Sequence, residues 1–191
     1  DLTAVLRLAV QNEEVLDKAI FGNRIMSLWY KIKHALRSNT KEGSRKNIHA
    51  HYDLGNDFYR LWLDPSWTYS SAIFYNDYQI SLHEAQYRKY QRIIDVLGLK
   101  SGDKVLEIGC GWGGFAEHAA SQGIQVYGIT ISKAQLEVAQ ARIKEKGLTD
   151  LAYLELCDYR DRKGEYAAIV SIEMFEAVGE EYWPSYFEGV Q

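Results

Sequence analysis

Residues 104–114, KVLEIGCGWGG, predict a buried strand that runs through a glycine-rich turn directly into a helix. Glycine lets the backbone of such a turn approach a bound nucleotide closely, and N–H groups at the start of the following helix face that ligand. We therefore interpret the turn as a nucleotide-binding loop. Two spacings fit it. Gly109, Gly111 and Gly114 match the dinucleotide pattern GxGxxG, whereas Gly109, Gly111 and Gly113 match GxGxG.

The residues around the turn separate these two kinds of nucleotide site. GxGxG behind an acidic residue is typical of adenosylmethionine-dependent methyltransferases, and Glu107 stands just before Gly109. Its carboxylate suits the ammonium end of adenosylmethionine and would repel a pyrophosphate. A site for NAD needs an acid about 20 residues further on, at the end of the second strand. That strand ends in Thr130-Ile131-Ser132, so neutral groups, with Gln135 the nearest candidate, must hold the ribose.

Strand and helix patterns alternate on both sides of this turn. Such alternation predicts an α/β fold with parallel βαβ units in a doubly wound sheet, helices on both faces and ligands at the carboxyl ends of the strands. Ala85, Ile93, Ile94 and Leu97 should form the apolar face of the helix before the first strand. The predicted strands are 104–109, 124–130, 151–156 and 167–172, and the predicted helices are 82–97, 113–122, 132–146 and 180–189. Because only four strands are visible, we expect the sheet to continue beyond residue 191.

The composition suits one globular domain with a small appendage. The chain has 191 residues, of which 47% are hydrophobic and 25% charged. Cys110 and Cys157 have no CxxC or Cys/His spacing around them, which argues against a disulfide framework or a zinc site and favours a reducing compartment. No apolar run approaches the roughly 20 residues of a membrane-spanning helix, and no secretory leader opens the chain.

The charge is distributed unevenly along the chain. The net charge is -4, yet residues 24–46 carry seven lysines and arginines against one glutamate. Within this basic stripe, apolar residues including Trp29 and Ile32 recur at helical spacing opposite the cations, which predicts an amphipathic helix for an anionic surface. A membrane, a nucleic acid or plain solvent could face it. The polar run 38–44 predicts a linker, so we divide the chain into a helical N-terminal segment, 1–46, and a main domain, 47–191.

Six segments of the chain are distinctive. They are HYDLGNDFYRLWLD (51–64), TYSSAIF (68–74), VLEIGCGWGG (105–114), GITISKAQ (128–135), CDYRD (157–161) and SIEMFEAVG (171–179). Together they resemble the cyclopropane-fatty-acyl-phospholipid synthase family, which includes the mycolic acid cyclopropane synthases. The resemblance covers about residues 47–191 and is more specific than the glycine turn alone. It implies a Rossmann-like class I methyltransferase sheet, incomplete at its C-terminus, that binds S-adenosylmethionine.

The resemblance assigns cofactor contacts residue by residue. Tyr69 and Ser70, in the segment TYSSAIF, contact the cofactor. Asp158 and Tyr159 hold the adenine, and Ile172 lies beside it. The methionine part lies against Glu107, Gly109, Cys110, Gly111 and Gly113, and the ribose region against Thr130, Ile131, Ser132 and Gln135.

The resemblance also implies a reaction. A cis alkene of a phospholipid acyl chain attacks the sulfonium methyl group, and the resulting carbocation loses a proton to bicarbonate as the ring closes. Glu176 matches a glutamate that seats the bicarbonate. Ser71 stands where several members have cysteine, and its main-chain contact would survive the change. Ala177 replaces a histidine, and the remaining bicarbonate ligands, a histidine and a tyrosine, are expected beyond residue 191.

Two other functions stay open at this point. One is methyl transfer to another acyl or small-molecule acceptor, and the other is a truncated cofactor-binding fragment without activity. For the leading hypothesis we expect a cytoplasmic enzyme, peripheral to the inner membrane face, whose basic stripe meets anionic phospholipid. We also expect a homodimer and no binding of nucleic acid.

Overall fold

The structure, a computed structural model, describes residues 1–13, 15 and 55–190. The chain divides into two compact units, Asp1–Gly43 and Ser44–Gln191. In the first, helix α1 (Leu2–Gln11) lies within the N-terminal segment that was predicted to be helical. The basic amphipathic helix, the linker and the boundary after residue 46 lie outside the described residues. No helix in the described ranges is long and apolar enough to span a membrane.

The second unit alternates helices and strands, as predicted. Its predicted strands match the observed ones to within about one residue at each end. The helix predicted from residue 180 instead begins with the 3-10 turn Glu180–Tyr182, and Pro184 then occupies the first turn of the α-helix, where it sacrifices no hydrogen bond. The elements are α2 (Gly55–Arg60), α3 (Leu82–Leu97), β1 (Lys104–Ile108), α4 (Gly114–Ala120), β2 (Gln125–Thr130), α5 (Lys133–Glu145), β3 (Ala152–Leu156), β4 (Ala168–Ser171) and α6 (Trp183–Gly189).

The four strands form one parallel sheet in the order β3-β2-β1-β4. Strand β1 is central, and Glu107 pairs with Gly128 of β2 on one side and Val170 of β4 on the other. The chain leaves β1 toward β2 and β3 and returns to pair β4 with the opposite side of β1. This reversal confirms the doubly wound topology and opens a crevice at the carboxyl ends of β1 and β4, where ligands bind in such folds.

The main core lies between one face of the sheet and helices α3, α4 and α5. Val105 and Val126 are fully buried there, and Phe115 and Ile124 are almost so. On the opposite face, Leu106, Ile108 and Ile129 form a second cluster, against which Tyr159, Met174 and Val190 pack. Both faces of the inner strands are therefore covered by apolar side chains, which is why β1 carries a nearly continuous hydrophobic run.

Helix α3 has the predicted ends and most of the predicted apolar face, with Ile93 packed against the main core. The Ser81 side chain accepts a hydrogen bond from Glu84 N, and the helix stops at Gly98, whose φ is 63°. Ala85 and Ile94 are buried as predicted, but the prediction for Leu97 is wrong, because its side chain is 43% exposed. The buried face instead includes three polar or amphipathic side chains, Gln86, Lys89 and Tyr90. These side chains find polar partners in the segment 64–71.

Candidate functional site

The glycine turn after β1 has a backbone that only glycine adopts readily. Gly109, Gly111 and Gly113 have φ values of 82°, 52° and 83°. A side chain at Gly109 would place its Cβ 3.2 Å from Met174 Cγ, and the N–H groups of Gly109 and Cys110 both donate to Ile129 O. The turn is thus hydrogen-bonded to β2 and lies against the segment after β4, beside the crevice.

Glu107 is a buried carboxylate with an unused oxygen. Its side chain is on the helix-covered face of β1, and the residue is 3% exposed. Among the described residues, Oε2 has no hydrogen-bond partner. Burial raises the pKa of Glu107 to about 8. Because unsatisfied buried polar atoms are costly, this oxygen calls for a donor from a ligand.

The segment between α2 and α3 is anchored by a chain of short hydrogen bonds. Asp64 accepts from Ser66 N and Ser66 Oγ, both at 2.9 Å, and lies 2.9 Å from His83 Nδ1. Ser66 Oγ is 2.5 Å from Thr68 Oγ1, which is in turn 2.5 Å from the Tyr90 hydroxyl. All of these residues except His83 are buried. The segment that leads to Tyr69 is therefore tied to α3.

Lys89 of α3 continues this anchoring. Its ammonium group donates to Ser70 Oγ, to Ser71 O at 2.8 Å and to Gln86 Oε1 at 2.8 Å, so all three of its protons have an acceptor. Gln86 Nε2 in turn donates to Ser70 O at 2.8 Å. Lys89 is 8% exposed, and burial lowers its pKa to about 8. Neither Lys89 nor Gln86 was predicted, although Lys89 lies four residues after Ala85 and three after Gln86, spacings that make it their neighbour on the helix surface.

Glu173 contacts the same segment through the Ser71 amide. Glu173 follows β4, and its Oε1 accepts a hydrogen bond from Ser71 N at 2.8 Å. Its φ of 46° lies in the left-handed region, which glutamate rarely adopts. Tyr69 precedes this pair, and its ring packs at 5.5 Å from the rings of Tyr59 and Trp62. Three of the residues predicted in this segment, Tyr69, Ser70 and Ser71, thus lie beside a glutamate that sequence analysis did not select.

The neutral residues predicted to contact the ribose lie together at the end of β2. Ser132 Oγ accepts from Gln135 N at 3.3 Å, which starts α5. Ser132 N donates to Thr130 Oγ1 at 3.1 Å, and Thr130 Oγ1 donates to Gln135 Oε1 at 3.4 Å. All three residues are buried, with Ile131 half-buried between them. Hydroxyl and amide groups that both donate and accept are suited to a vicinal diol.

Asp158, predicted beside the adenine, is held by an arginine. Its Oδ1 accepts from Arg160 N at 3.0 Å and from Arg160 Nε at 2.8 Å, and its Oδ2 accepts from Arg160 Nη2 at 2.6 Å. This bonding to Asp158 raises the pKa of Arg160. Asp158 is 3% exposed. Tyr159, half-buried, packs at 5.3 Å from the Tyr186 ring, and Ile172 packs against the main core.

Helix α2 is linked to the glycine turn through a tryptophan. Trp112 Nε1 donates to Asn56 Oδ1 at 2.9 Å, and Asn56 Nδ2 donates to Ala134 O at 3.1 Å.

Glu176 is exposed in the 3-10 turn Phe175–Ala177, and its side chain has no hydrogen bond to another described residue. The structure therefore places predicted cofactor residues at the carboxyl ends of all four strands. Glu176 forms no hydrogen bond to any of them.

Comparisons with known proteins agree on one family. The family model described as mycolic acid cyclopropane synthetase matches residues 39–191. Tuberculostearic acid methyltransferase UfaA1 of Mycobacterium tuberculosis is 40% identical over 198 aligned residues, which cover 100% of this chain and 46% of that protein. Cyclopropane-fatty-acyl-phospholipid synthase of Escherichia coli is 44% identical over 138 residues, covering 72% of this chain and 35% of that protein.

A solved structure is similar over the same region. Mycolic acid cyclopropane synthase CmaA1, complexed with SAH and CTAB, superposes with a TM-score of 0.72 and 35% identity, over 76% of this chain and 51% of that chain. Coclaurine N-methyltransferase, 19% identical with a TM-score of 0.62 over 90% of this chain, shares the fold. The chain spans about half or less of the length of the curated relatives it matches.

Proposed function

The chain belongs to the mycolic acid cyclopropane synthetase family, and we propose that it is part of an S-adenosylmethionine-dependent enzyme of cyclopropane-fatty-acyl-phospholipid synthase type. In this proposal, a one-carbon unit passes from the cofactor to a cis double bond of a phospholipid acyl chain. The relative from Escherichia coli supports the acceptor, and the relative crystallised with SAH supports the cofactor.

The observation that carries the proposal is the unsatisfied Oε2 of Glu107. An ammonium group, such as the one on the amino-acid end of S-adenosylmethionine, would donate to this oxygen and stabilise the carboxylate. A pyrophosphate in the same place has only acceptor oxygens, and its negative charge would make ionisation of Glu107 more costly still. The residues present therefore fit a sulfonium amino acid better than a dinucleotide.

The other strand ends supply the remaining contacts. Thr130, Ser132 and Gln135 can exchange their mutual hydrogen bonds for bonds to ribose hydroxyls. Arg160 orients the carboxylate of Asp158 through two hydrogen bonds, so that it can accept from an exocyclic adenine amine. Bound S-adenosylmethionine supplies an electrophilic methyl group on its sulfonium.

The aromatic residues around Tyr69 suit the acyl chain. An alkene is a weak nucleophile, so water must be kept away while the double bond is held against the methyl group. Tyr59 is buried, whereas Trp62 and Tyr69 are about half exposed and present apolar surface beside Ser70. We assign this surface to the acceptor side of the site.

A second acceptor is supported by the relative that aligns with the whole chain. That protein is named for methyl transfer to a fatty acid, so a product without a ring is the alternative. A cyclopropane and a methylene branch each add 14 mass units to an alkene, and proton spectra of the purified lipid distinguish the two.

The cofactor proposal is tested by calorimetric titration of the protein with S-adenosylhomocysteine and, separately, with NAD. We expect binding of the first and none of the second, because Glu107 suits an ammonium group and the end of β2 has no acid for the ribose of NAD. Binding of NAD alone would overturn the assignment. Mass spectrometry of lipids from cells that express the gene then tests the acceptor.

Bicarbonate does not fit the described residues as the resemblance implied. The Ser71 amide, the main-chain contact that the resemblance left available, already donates to Glu173, and Glu176 is exposed in the 3-10 turn Phe175–Ala177. We therefore derive no step through a bicarbonate ion.

A further inference from the structure

We propose that the Glu173 carboxylate is the proton acceptor of the reaction and replaces a bound anion at the Ser71 amide. This inference rests on the proposed function, because only the alkene reaction requires a base at this position. It concerns a residue that neither the glycine turn nor the family resemblance singled out.

The position of Glu173 is defined by contacts on two sides. Its Oε1 accepts from Ser71 N at 2.8 Å, in the segment that also carries Tyr69 and Ser70. The next residue, Met174, lies so close to Gly109 that an added Cβ there would be 3.2 Å from Met174 Cγ. Glu173 thus stands at the carboxyl end of β4, between the Tyr69 segment and the glycine turn.

A buried cation, the Lys89 ammonium group, contacts the same segment as the Glu173 carboxylate. The Lys89 ammonium donates to Ser70 Oγ and Ser71 O, while Glu173 accepts from Ser71 N. Burial lowers the pKa of Lys89, and the negative charges of Glu173 and then Asp64 oppose this lowering, which indicates that Glu173 and Lys89 interact electrostatically. Two opposite charges therefore hold the backbone of Ser71 from both sides.

The backbone of Glu173 is strained where glycine would be relaxed. Its φ is 46°, and a non-glycine residue in this region persists only when the surroundings stabilise it. Strain of this kind clusters at functional positions. A glutamate here costs stability without filling the apolar core, and its carboxylate makes the contact to Ser71.

In the proposed reaction, methyl transfer precedes the loss of a proton. The alkene π electrons form a bond to the methyl carbon while the carbon–sulfur bond breaks, and that electron pair stays on sulfur. A C–H bond of the transferred carbon then breaks, and its electrons close the ring onto the cationic carbon. The proton passes to Glu173, whose side chain is exposed and can return it to solvent.

Two substitutions at one position test this role. Glu173→Gln keeps an oxygen for the Ser71 amide but removes the base, so turnover should fall at least a hundredfold and added bicarbonate should not restore it. Glu173→Gly relaxes the backbone and frees the amide, so turnover should fall equally but recover with bicarbonate. Glu180→Gln, on an exposed glutamate in the neighbouring turn, is the control and should change nothing.

Bicarbonate binding gives a second measurement that does not depend on turnover. In carbon dioxide-free buffer, carbon-13 bicarbonate should bind Glu173→Gly and not the unaltered protein. Full turnover of Glu173→Gln, or binding of bicarbonate by the unaltered protein, would overturn the inference. Failure of the unaltered protein to bind S-adenosylhomocysteine would instead overturn the proposed function, and the two failures are therefore distinguishable.

Discussion

Single charged residues of this site are costly for stability and useful for binding. Glu107 is the clearest case, since its carboxylate is almost fully buried with one oxygen unpaired. Its pKa is raised to about 8 by burial, so the folded chain binds a proton that the unfolded chain releases above its ordinary pKa of about 4.3. The contribution of Glu107 to stability therefore falls as the pH rises from about 5 through 8.

Replacement of Glu107 by glutamine should remove this pH dependence and weaken the cofactor. Between pH 5 and pH 7.5, the difference in unfolding free energy between Glu107→Gln and the unaltered protein should change by roughly 3 kcal/mol in favour of the variant. Affinity for S-adenosylhomocysteine should fall at least tenfold, because the ammonium loses its counter-charge. Urea unfolding at both pH values and calorimetry measure the two effects.

The exposed Glu145 provides a matched control at the end of α5. Glu145→Gln should leave both the pH profile and the affinity unchanged. Parallel unfolding curves for Glu107→Gln and the unaltered protein at every pH would show that Glu107 titrates normally, contrary to our expectation.

Sequence analysis located Glu107 but missed Lys89, Arg160 and Glu173. Glu107 was recognisable because it sits in a strand just before a glycine turn. The other three gain their roles from contacts with Ser71 and Asp158. A pattern of apolar spacing treats such charged side chains as surface residues, and it carries no information about the segments that fold over them.

At the scale of elements, helix α3 positions the segment 64–71, which carries Tyr69. Its predicted ends, residues 82 and 97, lie next to the caps Ser81 and Gly98. The polar part of its buried face was not predictable, because Gln86 and Lys89 are buried only where the backbone of Ser70 and Ser71 supplies acceptors. The helix therefore transmits its position to Tyr69 through hydrogen bonds.

Replacement of Lys89 by methionine should weaken the attachment of this segment to α3, while the methionine side chain still fills the space of the lysine methylene groups. We expect the affinity for S-adenosylhomocysteine to fall about tenfold at pH 6.5, since three hydrogen bonds of a charged donor are lost. Arg92→Met, at an exposed position on the same helix, is the control and should bind normally. Calorimetry on the three proteins makes the comparison.

The pH dependence of this effect separates positioning from mere stability. Lys89 has a pKa lowered to about 8, and Glu173 and Asp64 are the charged groups that act on it. Its charge is present below that pH and lost above it, so the affinity ratio between the unaltered protein and Lys89→Met should shrink as the pH rises through about 8. Both proteins keep Glu107, whose titration cancels in the ratio. A ratio that stays constant would contradict the positioning role.

At the scale of the whole molecule, the alternation of elements was sufficient to predict a parallel doubly wound sheet. Four strands, of which the first three are separated by helices, leave few other arrangements, because parallel strands need crossover connections. The polar contacts that complete the site were not predictable in this way. Ser71 and Glu173, for example, are distant along the chain and meet only because β4 pairs with β1.

The basic stripe, which lies outside the described residues, supports a prediction about membrane docking. Phospholipid acyl chains lie in a bilayer, and each cation near an anionic surface contributes about 1 kcal/mol. Replacing Arg24, Lys31, Lys33 and Arg37 by glutamine should therefore weaken binding to anionic vesicles at least tenfold at low salt. Vesicle sedimentation measures this, and the affinity for S-adenosylhomocysteine should not change.

Four exposed cations of the main domain provide a control with the same change of net charge. They are Arg92, Lys133, Lys144 and Lys163. If their replacement by glutamine weakens sedimentation as much as the loss of the stripe, the attraction comes from overall charge and the docking helix is wrong.

The pairing of β4 with the central strand has a consequence for synthesis. A ribosome makes the chain from its N-terminus, so β1, β2 and β3 emerge together with the glycine turn before β4 exists. Until β4 arrives, one side of β1 is an open edge with unpaired N–H and C=O groups. Glu173 emerges directly after β4, so a nascent chain cannot capture cofactor in a complete site until the edge of β1 has been closed. Premature release before that point leaves a chain prone to edge-to-edge aggregation.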